Sequence, residues 1–243
     1  MKKIKSAMLL AAGFGERLRP ITDTTPKPLV KVMGRTLIDR AIDRLHEGGI
    51  ERFVVNTHYL SEKIYNHLSQ RKDVEILFSE ERKILETGGG IANVLTKFNN
   101  DAFIACNGDT LWLNGSQDAI KRMMCIWNDS KMDALMMLHS TVSAYGYEGF
   151  GDFNIDPNGL LSRRPESEIS PYLFTGIQIL HPRLFETAPK GPFSLNLLYD
   201  SAIRSERLYG LVHDGEWFHI GTPDALSTTE DYLKSRYSGI KHR

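Results

Sequence analysis

The sequence of 243 residues predicts an α/β fold, a single domain with a mostly parallel mixed sheet flanked by helices. Three observations predict it. Short apolar runs alternate with amphipathic helical stretches through the first half. The first run ends directly in a glycine turn, "LLAAGFG". No linker, repeat or low-complexity segment divides the chain.

The elements follow in order. Residues 7–12, 52–56, 74–79, 102–107 and 134–138 are short apolar runs and read as strands. Between them lie helical periods at 37–47, 61–68, around 91–98 and at 117–127. In the first of these, Leu37, Ile38, Ala41, Ile42 and Leu45 share one face. Strand and helix in that alternation make an open sheet, and such sheets bind ligands beyond the carboxyl ends of their strands. The second half is more mixed. "FNIDPNGLLSRR" holds two short strands around a Pro-Asn-Gly turn, and "YLFTGIQIL" is a further strand. A helix is expected over 195–205, a strand pair rich in Tyr, Trp and His over 208–220, and a last helix after Thr222 with Pro223 at its first position. The basic end, 236–243, reads as a frayed tail.

Composition excludes several classes. Lysine plus arginine equals aspartate plus glutamate at 30 each, so no net field draws the chain to nucleic acid or to an anionic membrane. No apolar run reaches the roughly twenty residues of a membrane span, and the first residues run into glycine and charge too early for a signal peptide. Cys106 and Cys125 have no metal-type spacing; they are expected to be buried thiols in a reducing, cytoplasmic setting. Oligomeric state is not legible.

The glycine turn carries the chemistry. "GFGERL" supplies Gly13 and Gly15 just after a strand, but Leu18 stands where a dinucleotide fingerprint has its third glycine, and Pro20 stops a regular helix. No Gly-Lys-Ser/Thr follows, so it is not a P-loop. What remains is a turn whose backbone can approach phosphates, with Arg17 and Lys27 placed to neutralise them. That suits a nucleoside triphosphate from which pyrophosphate leaves.

"LAAGFGERLRP" followed by "TPKPL" resembles the signature of the sugar-1-phosphate nucleotidyltransferases. The resemblance continues through "NGD" (Asn107, Gly108, Asp109), "FTGI" from Phe174 and "GTP" from Gly221, so it covers nearly the whole chain. It implies a Rossmann-like nucleotidyltransferase domain over 1–243, with a nucleotide-binding half at about 1–140 and a sugar-phosphate-binding half at about 141–235. The implied partners are a nucleoside triphosphate and a sugar 1-phosphate; the implied cofactor is Mg2+, held by Asp109. Arg17, Lys27 and Asp109 would be catalytic. Ala11, Ala12, Gly13 and Gly15 would contact the nucleotide with Arg17 and Lys27, and Thr87 and Gly88 of "LETGGGI" would meet the base and ribose.

"LETGGGI" is similar to the N-acetylmuramate α-1-phosphate uridylyltransferase branch, which implies UTP, N-acetylmuramic acid α-1-phosphate and peptidoglycan precursor recycling. A mannose-1-phosphate or heptose-1-phosphate guanylyltransferase is the alternative, and a nucleotide-sugar-binding regulator without catalysis is an alternative of another class. Glu80 and Glu86 are open between base contact and solvated loop charge, and His58 between pocket lining and structure. Asp152, Thr175 and Gly176 fall where relatives contact the sugar. Two departures stand out. His219 replaces the family's second metal-binding aspartate, and imidazole is a poor ligand for magnesium; binding substrate or water, or packing, are its other roles. Arg164, in "RRP", replaces a lysine that binds the sugar phosphate, and is otherwise a solvated hairpin charge.

Overall fold

The computed structural model describes residues 3–238, with the backbone alone at Ser238. The first strands are β1 (Ser6–Leu10), β2 (Lys31–Val32) and β3 (Arg35–Thr36), followed by helix α1 (Leu37–Glu47). Thr36 caps α1 by accepting from the Asp39 N–H, and the apolar stripe of α1 is fully buried, as its spacing predicts. Then come β4 (Arg52–Thr57), α2 (Ser61–Leu68), β5 (Glu75–Glu80), α3 (Glu86–Ala92), β6 (Phe103–Asn107) and β7 (Leu111–Leu113). Helix α4 (Ala119–Ile126), β8 (Ala134–Ser140), the β9–β10 hairpin (Phe153–Ile155, Leu161–Arg163) and β11 (Tyr172–Leu180) follow. Helix α5 (Asn196–Arg204), β12 (Leu208–Val212), β13 (Glu216–Phe218) and α6 (Pro223–Ser238) complete the described chain.

Strands β5, β4, β1 and β6 lie side by side and parallel. Beyond β6 comes β11, antiparallel to β6 and to β8, and then β12 parallel to β8. The sheet is therefore mostly parallel and mixed. β1 has β4 on one side and β6 on the other, and this reversal of strand order opens a crevice at the carboxyl ends.

Both faces of the sheet are buried, which is why its strands read as continuous apolar runs. Ala7, Leu9, Phe53, Val55, Ile104 and Cys106 face α1, α2 and α4; Met8, Val54, Phe103 and Ala105 face the α3 and α5 side. A smaller third core gathers Leu18, Val30, Leu37, Leu111, Phe218, Ile220 and Leu233. It joins the loop after β1 to β7, β13 and α6.

Four expectations need correction. The helix placed around 91–98 begins earlier, at Glu86, and continues as a separate turn at Leu95–Phe98. The strands within 208–220 do not pair with each other: β12 joins β8, whereas β13 joins β7 in a small antiparallel sheet. Cys125 is exposed at the end of α4, although Cys106 is buried. Of the expected tail, residues 236–238 belong to α6, with Arg236 paired to Glu216, and 239–243 lie outside the described residues. Among the described residues no helix is long and apolar enough to cross a membrane.

Candidate active site

The loop after β1 is built to hold two cations at one place. Gly15 has φ +68, in the left-handed region, and a side chain there would lie 3.0 Å from Lys27 Cβ and 3.1 Å from Thr22 Cγ2. Glycine is thus required twice, for the turn and for the closeness of Lys27. The Thr22 hydroxyl donates to the Gly15 carbonyl at 2.8 Å, and a short turn at Glu16–Leu18 buries Leu18 completely in the third core. Arg17 consequently points outward, and it makes no hydrogen bond or ion pair among the described residues. A Cβ on Gly13 would meet nothing within 4 Å, so space there is open to a ligand.

Lys27 crosses to the next strand end. Its Nζ lies 2.6 Å from Asp109 Oδ2, with side-chain exposures of 16% and 29%. Asp109 sits in a turn just past β6, held there because Gly108 N–H donates to Leu10 O at 2.9 Å. His219 follows β13 and is half-buried. Burial, then the positive charges of Arg17 and Lys27, hold its imidazole below the usual histidine range against the opposite pull of Asp109. The ring is therefore neutral at pH 7, and it makes no hydrogen bond among the described residues.

Arg17, Lys27 and Asp109 border a cavity of about 630 Å³ also lined by Ala11, Ala12, Gly13, Gly15 and Thr87. A second cavity of about 630 Å³ is lined by Tyr147, His219, Thr222 and Asp224, and Arg17 and Gly221 border both. Among the described residues no three His, Cys, Asp or Glu side chains converge as a metal cluster. Asp109 nevertheless suits a hard cation: its carboxylate already has a cationic group, the Lys27 ammonium, at contact distance. A site with one carboxylate fits an ion that takes its other ligands from phosphate and water.

A buried strut forms the far wall. Asn56 Oδ1 accepts from Ala11 N–H at 2.8 Å, and Asn56 Nδ2 donates to Glu81 Oε1 at 2.7 Å. Glu81 Oε2 accepts from Leu85 N–H at 3.0 Å. Asn56 and Glu81 line the nucleotide-side cavity and were not singled out from sequence. Strand alternation could have found Glu81, because Glu80 ends β5 facing outward and the next residue must face in. Of the two open glutamates, Glu80 accepts from the Ser61 hydroxyl, whereas Glu86 lines the cavity. His58 is structural here: its Nδ1 lies 2.7 Å from Glu81 O.

The triple glycine serves close packing. A Cβ on Gly88 would lie 2.3 Å from the Phe193 ring, and one on Gly89 would lie 2.4 Å from Gly191 O. Gly88 N–H donates to Phe193 O at 2.9 Å, which places this residue behind the cavity wall. The Thr87 hydroxyl lines the cavity while accepting from Leu195 N–H at 3.0 Å.

The acceptor-half candidates are not brought together as free polar groups. Asp152 is exposed and accepts from Phe174 N–H at 2.8 Å. Arg164 donates to the carbonyls of Gly151, Pro165, Glu166 and Glu168, so its guanidinium shapes the loop that follows the hairpin. Thr175 is buried and donates to Met137 O at 2.7 Å. Gly176, with φ +85, lies in the irregularity of β11, where a Cβ would meet Asn107 at 2.6 Å.

A crevice at the strand ends, a glycine turn and paired cations facing a carboxylate define a protein that handles nucleoside phosphates, and the comparisons agree. The family model "Nucleotidyl transferase" matches residues 6–236, and the chain belongs to that family. It is 36% identical over 234 residues to the N-acetylmuramate alpha-1-phosphate uridylyltransferase of Caulobacter vibrioides, covering 94% of this chain and 97% of that protein. It is 34% identical over 222 residues to the protein of the same name from Neisseria meningitidis serogroup B, covering 89% and 93%. Among solved structures, UDP-glucose pyrophosphorylase complexed with UDP-glucose superposes with a TM-score of 0.80 at 16% identity, covering 96% of this chain and 99% of that one. The likeness to the last is one of fold.

Proposed function

We propose that the chain transfers the uridylyl group of UTP to N-acetylmuramic acid α-1-phosphate, releasing pyrophosphate. The observation that carries this reading is the convergence of Arg17, Lys27 and Asp109 on one cavity beside the Gly13–Gly15 turn. The identity of 34–36% to uridylyltransferases for this sugar phosphate, over nearly their whole length, supports the choice of substrates.

A phosphate oxygen of the acceptor attacks the α-phosphorus, and the bond to the β,γ-diphosphate breaks. No covalent enzyme intermediate is needed, so positioning and charge neutralisation carry the catalysis. Residues 1–140 bind the nucleotide. Arg17, free of protein partners, holds the leaving diphosphate; Lys27 contacts phosphate near the reacting centre; Ala11, Ala12, Gly13 and Gly15 admit the triphosphate. Thr87 borders the ribose, and Gly88 sets the path of that wall. Glu81, a buried glutamate already accepting from Asn56 and Leu85, accepts a further N–H from the base edge. Asp109 would hold Mg2+, which supplies neutralisation of phosphate charge when bound. Residues 141–235 bind the acceptor. Asp152 and Arg164 border its approach, Thr175 and Gly176 fix the shape of β11 beneath it, and the neutral His219 ring orients a water or the acceptor phosphate. Such chemistry belongs in the cytoplasm, where both substrates are at hand.

Pyrophosphate release, measured with UTP, GTP and a panel of sugar 1-phosphates, tests the reading. UTP with N-acetylmuramic acid α-1-phosphate is the expected best pair, since a base pocket rejects a nucleotide that leaves its polar groups unpaired. A preference for GTP with mannose 1-phosphate would assign the chain to the guanylyltransferases instead. Nucleotide binding without turnover on any pair would make it a regulator.

A further inference from the structure

The contact between Lys27 and Asp109 sets two duties against each other. Asp109 is the carboxylate assigned to the metal, and in the free protein it is already paired with a lysine at 2.6 Å. Arg17 stands free near the same place, so the pairing is selective: the described structure parks one particular cation on the carboxylate. The base of Lys27 cannot follow its tip. Pro26 and Pro28 flank it, the turn Lys27–Leu29 fixes its backbone, and Gly15 packs against its Cβ. Only the four-carbon stem is free to carry the ammonium from one partner to another.

We propose that Lys27 is a placeholder for the divalent cation on Asp109, and that nucleotide binding releases it by offering phosphate oxygens in exchange. Before binding, the carboxylate is held by an ammonium. Afterwards the ammonium is held by phosphate and the carboxylate by metal, so each charge keeps an opposite neighbour throughout. No covalent bond is made or broken. Metal and nucleotide therefore bind with positive coupling, because each removes the partner that blocks the other. A free protein whose Asp109 is covered takes up metal poorly and does not hold an ion idle between turnovers. This inference rests on the assignment of Asp109 to the metal.

Mn2+ binding to the protein without nucleotide, followed by electron paramagnetic resonance of the free ion, tests it without any turnover. Lys27→Met should bind Mn2+ at least on the order of tenfold more tightly than the unaltered protein, the scale of removing one unit charge at contact even when it is screened as strongly as in water. Lys27→Gln carries the same expectation and stands in should the Met variant fail to fold. Lys27→Arg, which keeps a cation there, should bind as the unaltered protein does. The double variant Lys27→Met with Asp109→Ala should lose the gain entirely. If neither neutral variant binds Mn2+ more tightly, the placeholder role is wrong while Asp109 keeps its metal. If the double variant retains the gain, Asp109 is not the ligand, and the metal assignment beneath the inference fails.

Discussion

Arg17 is the residue whose surroundings most clearly announce a ligand. A guanidinium brings five donors, and among the described residues none of them has a protein partner, at the junction of two cavities, which leaves all of them open to an anion. Arg17→Ala should lower kcat on the order of 10²-fold, the scale of removing one preorganised electrostatic stabiliser, with the thermal midpoint unchanged because the side chain supports nothing else. Steady-state pyrophosphate release and a melting curve on the same preparation check both halves of that expectation. Leu18, one position on, is its complement. Full burial of its side chain, a contribution of about 1.5–3 kcal/mol, is what turns Arg17 outward. Arg164 shows the opposite outcome, a cation whose donors are taken up by three carbonyls of its own loop and by Gly151 O just before the hairpin.

At the scale of elements, α1 and α2 match their expected limits because the apolar stripe lies within the segment itself, and in α1 Thr36 caps it from the position before. The parallel strands were legible for the same reason. Their partners were not: β12 and β13 follow each other closely, as a hairpin would, yet each completes a different sheet, and only the path of β8 and β7 decides which. In the site, Arg17, Lys27 and Asp109 were legible because the signature ties charge to a glycine turn. Glu81 was not singled out, since the sequence does not by itself separate three glutamates within seven positions that the fold places at the end of β5, at the buried position after it and at the start of α3. Gly88 was expected to meet the base and ribose, and the tightest contacts of the α3 glycines are with Phe193 and Gly191. Gly88→Ala should therefore destabilise the fold by about 1–3 kcal/mol, the usual cost of overpacking, because the added methyl meets a ring and a backbone oxygen together. Urea denaturation of that variant, read as a lower midpoint at an unchanged slope, checks it.

For the whole molecule, pH acts through a histidine remote from the chemistry. His213 is 4% exposed; its Nε2 lies 3.0 Å from Leu113 O, and its Nδ1 has no partner. Burial is the main cause that pulls its pKa down to about 4. The unfolded chain, near 6.5, binds the proton first. Its contribution to stability is thus complete above about pH 6.5 and is lost as pH falls from there to about 4, on the order of 3 kcal/mol in all. His213→Gln keeps a donor for Leu113 O and should flatten the stability profile across that window; chemical denaturation at a series of pH values measures it.

The third core carries a further consequence, for the order in which the protein becomes competent during its own synthesis. Leu18 and Val30, which flank the loop after β1, pack with Phe218, Ile220 and Leu233, residues made some two hundred positions later. The four parallel strands β5, β4, β1 and β6 are on hand once β6 has emerged, and they can begin to collapse while translation continues. The loop cannot settle until β13 and α6 have left the ribosome. A half-made chain therefore carries part of its sheet without a fixed glycine turn, and the turn that presents Arg17 is set only when the last helix docks.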